Sequence, residues 1–243
     1  MIANVFHWIL LFVTAFVAAT LAAVTGFGGA AVLLPILVLV FGVRDAIPIL
    51  TVAQLIGNAS RVWFNRRELS YPVVGWFALG GVPAALLGGV LFAKAPGSLL
   101  TRLLGLFLLL TVVYRRWRKG KARRIPLRGF AVLGAGSSFL SALVGSVGPL
   151  MAPFFLAYGL VKGAYIGTEA LATVVMHVTK LIAYEGTSVL TPHAVLMGLV
   201  LGPVMVVGSY LGKRIVDRIP ERVFVWLIEA TLILAGAWFL VAG

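Results

Sequence analysis

The sequence predicts an all-α polytopic membrane protein built from two inverted repeats of about five apolar segments each, with eight to ten transmembrane helices, some broken or re-entrant. Three observations predict it: too few polar side chains to coat a water-facing surface, a succession of apolar segments of bilayer-crossing length, and a constant shift in numbering that lays one half of the chain on the other.

The composition excludes a soluble domain. Of the 243 residues, 61% are hydrophobic and 11% charged, and the mean hydropathy is +1.09. A bilayer-crossing helix needs about 20 mainly apolar residues, and such stretches run almost from end to end. The net charge of +13 is a topology signal, because Lys and Arg lie mainly between the apolar segments, as they do in cytoplasmic loops. Nucleic acid is therefore not expected as a partner. The chain has no cysteine, which excludes disulfides, thiol catalysis and cysteine-ligated metals. The apolar run up to Ala23 lacks a preceding Lys or Arg and reads as a retained first helix rather than a signal peptide.

Apolar segments fall at 4–24, 28–43, 46–63, 72–93 and 99–114, and again at 129–144, 147–161, 164–184, 193–212 and 223–242. The expected organisation is a first transmembrane repeat over 1–114, a basic linker over 115–128 and a second repeat over 129–243. A shift of 119 residues places Gly26 on Gly145, Gly29 on Gly148, Asn58 on His177 and Arg61 on Lys180. With one more residue inserted, Pro83 meets Pro203 and Gly88 meets Gly208. The linker and Arg128 behind it carry eight basic residues and no acid, so it is expected on the cytoplasmic side. If all five first-half segments cross, Arg61, Arg66 and Arg67 share that side, eleven basic residues against three, and an odd number of crossings inverts the second half. Both termini then face the periplasm or exterior of the inner membrane. Segments 28–43 and 147–161 are short for a crossing, hence the expectation of broken or re-entrant helices.

Two features carry the chemistry. The first is Thr25-Gly26-Phe27-Gly28-Gly29 with its partner Gly145-Ser146-Val147-Gly148-Pro149, each at a junction between segments. Irregular glycine backbone is tolerated in a membrane where protein or a water-filled cavity satisfies it, and helix N-termini starting there attract anions. The plainer reading is close helix packing by small residues. The second feature is a polar stripe: Gln54, Asn58, Arg61 and Asn65 share one helix face, and Thr173, His177, Lys180 and Tyr184 repeat the spacing 119 residues on. Polar groups within a bilayer are costly unless they meet partners or water, so both faces are expected to point into the bundle and offer donors to an oxyanion. The competing reading has Arg61 and Lys180 snorkelling to the two membrane surfaces. His177 and Glu169 are candidates for carrying a coupling proton, against a structural, hydrogen-bonded role.

Gly26-Phe27-Gly28-Gly29 running on to Pro35, the basic Asn65-Arg66-Arg67, Gly145-Ser146-Val147-Gly148-Pro149 with Pro153, and Gly167-Thr168-Glu169 resemble the TauE/SafE family. The resemblance covers essentially the whole chain and implies a permease for sulfite, an organosulfonate or a related sulfur oxyanion. Two departures bear on substrate choice: Ser146-Val147 stands where the first repeat has Phe27-Gly28, and Arg61 stands where a neutral residue would be ordinary.

The reading is a secondary transporter that holds a small anion between the two glycine turns, using Thr25, Gly26, Phe27, Gly28, Gly29, Gln54, Asn58, Arg61, Gly145, Ser146, Gly148, Thr173, His177 and Lys180. Its partners are the anionic substrate, the lipid bilayer and, as candidates, a coupling proton and a second copy in a homodimer; no cofactor or metal is called for. No nucleotide-binding loop, zinc-protease motif or carboxylate cluster points to catalysis. The rivals are a passive anion channel and a membrane-embedded assembly subunit or lipid-acting enzyme.

Overall fold

The computed structural model describes residues 2–26, 29–117 and 125–215, with residues 233 and 241. Phe27, Gly28, linker residues 118–124 and the expected segment 223–242 lie outside the described residues, apart from those two isolated positions. Within them the chain forms eight helices: α1 Ile2–Thr25, α2 Gly29–Phe64, α3 Tyr71–Lys94, α4 Gly97–Trp117, α5 Gly129–Val144, α6 Gly148–Tyr158, α7 Lys162–Gly186 and α8 Pro192–Ile215.

The expected segments 28–43 and 46–63 are the two arms of α2, which is interrupted at Gly42 with φ 74° and ψ 161°. That backbone region belongs to glycine. Next to the break, Arg44 Nη2 donates to Ala95 O at 2.5 Å, just past the end of α3, where helix carbonyls lack intrahelical partners. The counterpart in the second half is separated fully. α6 has 11 residues, about 16 Å at 1.5 Å per residue and well short of a bilayer core. It ends at Gly159 in the left-handed region, φ 105°, before α7 begins.

The packed pairs come in matching sets. α3 lies against α5 and α1 against α8; α2 packs on α8 and α3 on α7; α2 and α7 meet each other. Replacing each helix by its counterpart 119 or 120 residues on turns the first pair of each set into the second. Glycines let these helices approach closely: a Cβ at Gly88 would stand 2.8 Å from Ala142 Cβ, and one at Gly208 2.8 Å from Ala19 Cβ. Small residues at such crossings are the usual device where lipid offers no hydrophobic drive for helix association.

The bundle is apolar outside and holds a buried polar cluster within a largely apolar core. Ile9, Val13, Leu79, Leu87, Val132, Ile182 and Val207 are exposed on helix surfaces, while Gln54, Asn58, Arg61, Glu169, His177 and Lys180 are buried. Among the described residues, α2, α3 and α7, with His7–Val24 of α1 and Pro192–Gly212 of α8, are long and apolar enough to cross a membrane; Gly97–Leu110 and Gly129–Val144 are shorter apolar stretches. An outward face with no polar coat suits hydrocarbon, where every backbone polar group must be satisfied within the helices.

Candidate functional site

α1 and α5 both end on a glycine with positive φ, Gly26 at 77° and Gly145 at 83°. Each glycine closes its helix in the same way: the Gly26 amide donates to Ala22 O and the Gly145 amide to Ser141 O, both at 2.9 Å. The last carbonyls of a helix are its unpaired, negative end, and in each case a buried cation meets them. Arg61 Nη1 donates to Ala22 O and Gly26 O, both at 3.0 Å. Lys180 Nζ donates to Ser141 Oγ at 3.2 Å and reaches Gly145 O at 3.5 Å. Arg61 is 5% exposed and Lys180 0%, so neither cation snorkels.

The polar stripes present these cations from α2 and α7. Asn58 links its own stripe, donating through Nδ2 to Gln54 O at 2.7 Å and accepting from Arg61 Nη2 through Oδ1. On α7 the Thr173 hydroxyl donates to Glu169 Oε1 at 3.2 Å, and Glu169 Oε2 lies 4.0 Å from Arg61 Nη1. The outermost stripe members serve the helices themselves: Asn65 Nδ2 donates to Arg61 O at 2.8 Å and Tyr184 OH to Ala142 O at 2.6 Å.

Between the two helix ends and the two stripes is a cavity of about 40 Å3, room for two or three water-sized groups. From the first half Gly26, Gly29, Gln54, Asn58 and Arg61 line it. From the second half Gly145, Ser146, Gly148, Thr173, His177 and Glu169 do. Lys180 is not in the lining but holds Ser141 and Gly145, which are. The Thr25 side chain, Phe27 and Gly28 lie outside what is described. Gly29 and Gly148 are the first residues of α2 and α6, so two helix N-termini border the cavity, where amides and dipole favour negative charge.

Among the described residues, four buried side-chain atoms lack a hydrogen-bond partner: Gln54 Nε2, His177 Nδ1, Glu169 Oε2 and Ser138 Oγ. The first three belong to the cavity lining. Leaving a buried polar atom unpaired costs about 1–3 kcal/mol, and three such atoms belong to residues around one small space.

Sequence reasoning missed Tyr165 and Ser141. Tyr165 is 5% exposed, and its ring lies against Gly26, where an added Cβ would come within 2.5 Å of Cε1. It stands one helical turn before Glu169, so extending the α7 stripe back from Thr173 by two steps of four, through Glu169, would have found it. Ser141 had no comparable signal, since its counterpart is Ala22, whose backbone carbonyl does the same work.

An apolar-faced bundle of long helices around buried charges and unpaired donors is the build of a multi-pass membrane transport protein. The sequence profile of the family described as "Sulfite exporter TauE/SafE" matches residues 11–239, nearly the whole chain, and the chain belongs to that family of membrane transporters. No curated protein and no solved structure matches it.

Proposed function

We propose that the chain moves a small anion, a sulfur oxyanion such as sulfite or an organosulfonate, across the cytoplasmic membrane by alternating access around the cavity between Gly26 and Gly145. One observation carries the reading: two buried cations 119 residues apart each meet the carbonyl of a positive-φ glycine that lines one cavity, which Arg61 lines directly and Lys180 backs through Ser141 and Gly145, and Gln54 and His177, each with an unpaired polar atom, line it too. An oxyanion accepts from every donor there. Arg61 and Lys180 supply positive charge, Gln54 and Ser146 hydrogen bonds, and the N-termini of α2 and α6 a favourable dipole.

The matched packing of α3–α5 with α8–α1, and of α2–α8 with α7–α3, supports two repeats over 1–114 and 129–243 of opposite orientation. The short arm of α2 before Gly42 and the 11-residue α6 support broken helices that enter the bundle to meet the substrate. In this arrangement the basic linker is cytoplasmic and both termini face the other side. Rocking of one repeat against the other opens the cavity to each side in turn, with a proton on Glu169 or His177 as the coupling candidate and a homodimer as the candidate assembly.

Flux of labelled sulfite or sulfonate into sealed proteoliposomes tests the reading. Saturable uptake that is accelerated by the same anion on the far side is expected of a carrier. Flux without saturation or counter-transport would make it a channel, and no flux above protein-free liposomes would remove the reading.

A further inference from the structure

We propose that the anion in the cavity and a proton on Glu169 bind cooperatively, so that they are carried together rather than exchanged. The inference rests on the anion-site reading above and adds the identity of the proton site and the sign of the coupling.

The two oxygens of Glu169 are held unequally. Oε1 accepts from the Thr173 hydroxyl at 3.2 Å, while Oε2 has no hydrogen-bond partner among the described residues and lies 4.0 Å from Arg61 Nη1. The guanidinium is meanwhile committed elsewhere, with Nη1 on the carbonyls of Ala22 and Gly26 and Nη2 on Asn58 Oδ1. Glu169 thus depends on Arg61 for charge and not for a hydrogen bond. Both side chains line the same cavity.

The other charged and titratable groups leave this dependence in place. Arg61 is the charged side chain that α2 turns to Glu169, and the buried residues of α3 are apolar or glycine. On α6 the buried residues are apolar, and Tyr158 packs on Phe130. Along α7 itself stand Tyr165 one turn before, His177 two turns after and Lys180 beyond it, the last engaged with Ser141 and Gly145 at the end of α5. The charged neighbour of His177 on that helix is Lys180, a like charge to an imidazolium.

An oxyanion lying against Arg61 shares the one positive charge that balances Glu169 and repels the carboxylate besides. A buried carboxylate in that position is relieved by binding a proton from water on the open side, on Oε2, the oxygen without a donor. The neutral carboxyl in turn leaves Arg61 wholly to the anion. Each ligand raises the affinity for the other by the same factor, as linkage requires.

Calorimetric titration of the purified protein with methanesulfonate, whose charge is constant near neutrality, in buffers of different ionisation enthalpy counts the protons. We expect uptake of up to about one proton per anion bound, abolished in Glu169→Gln, whose affinity becomes independent of pH. Because a change at a buried carboxylate can cost the fold, the wild-type protein supplies a second readout: an infrared difference spectrum on adding methanesulfonate gains a protonated-carboxyl band. Binding without uptake, with release, or with uptake that persists in Glu169→Gln overturns the linkage while leaving the anion site standing. Failure of methanesulfonate, sulfite and sulfate alike to bind overturns the anion site, and the linkage with it.

Discussion

Lys180 Nζ reaches Gly145 O at 3.5 Å and Ser141 Oγ at 3.2 Å, the positions 119 residues beyond those that Arg61 grips at 3.0 Å. Each helix end that points into the bundle therefore carries its own buried cation. The two differ in what balances them. Arg61 has Glu169 at 4.0 Å, and among the described residues Lys180 makes no ion pair. The matched pair is thus chemically unequal, and the inequality decides how each position responds to substitution.

Arg61→Met leaves Glu169 buried without a countercharge. Breaking a buried pair by removing one partner costs about 3–5 kcal/mol, whereas removing both costs much less. The double variant Arg61→Met/Glu169→Gln is accordingly expected to be more stable than the sum of the single losses by about 1–3 kcal/mol. Unfolding of the four proteins in detergent measures this, and strictly additive losses would show that the 4.0 Å approach carries no coupling.

Lys180→Met removes a lone buried ammonium together with its desolvation penalty, so the fold is expected to survive with a loss of about 1–3 kcal/mol from the partners left behind. Transport should not survive as well. Lys180 stands behind Ser141 and Gly145 of the lining, so its charge acts on the anion through space, and a loss of about 1.4 kcal/mol is about tenfold in affinity. Lys180→Arg, which keeps the charge, should lose less. KM for anion uptake in proteoliposomes separates the three proteins, and wild-type kinetics in Lys180→Met would remove the side chain from the anion's surroundings.

Much of this is legible in the sequence, for a physical reason. Hydrocarbon leaves few ways to bury Gln54, Asn58, Arg61 and their counterparts, so a shared helical face and an inward direction follow from spacing alone. What spacing does not contain is where a helix end lies. Whether Arg61 turns to a membrane surface or to Gly26 O depends on the meeting of α1 with the second arm of α2, a tertiary fact. Arg44 and Asp45 likewise look like a loop between two segments, yet the helix resumes at once because only Gly42 has to leave helical geometry. Tyr165 escaped notice because the stripe was matched to Gln54, Asn58, Arg61 and Asn65 and so began at Thr173, two turns beyond it.

Gly26 and Gly42 offer a contrast between two costs. At Gly42, with φ 74° and ψ 161°, a Cβ meets nothing within 4 Å, so Gly42→Ala is expected to cost only the backbone strain, about 1–3 kcal/mol. At Gly26 the left-handed backbone costs about 1–2 kcal/mol, and the collision with the Tyr165 ring adds about 1–3 kcal/mol of overpacking. Introducing Gly26→Ala into a Tyr165→Ala background should therefore cost less than into the wild type, whereas Gly42→Ala should cost the same in both. Thermal unfolding of the set in detergent is the check; equal penalties for Gly26→Ala in both backgrounds would mean that the ring yields freely.

Gln54 and Ser138 separate a polar atom kept for a ligand from one that is merely tolerated. Both are buried, at 4% and 0% exposure, and Gln54 Nε2 and Ser138 Oγ lack partners among the described residues, but Gln54 lines the cavity and Ser138 does not. Replacing an unpaired buried polar group by an apolar one of similar size is nearly neutral or stabilising. Gln54→Leu and Ser138→Ala should thus both leave the protein as stable as the wild type, or more so by up to about 1–3 kcal/mol. Their effects on transport should part company. Gln54→Leu forfeits a hydrogen bond worth about 1 kcal/mol to the anion, which raises KM severalfold, while Ser138→Ala leaves KM unchanged. Paired unfolding and flux measurements on the two variants decide it: a stable Gln54→Leu protein with wild-type KM would show that the Gln54 amide does not meet the transported anion.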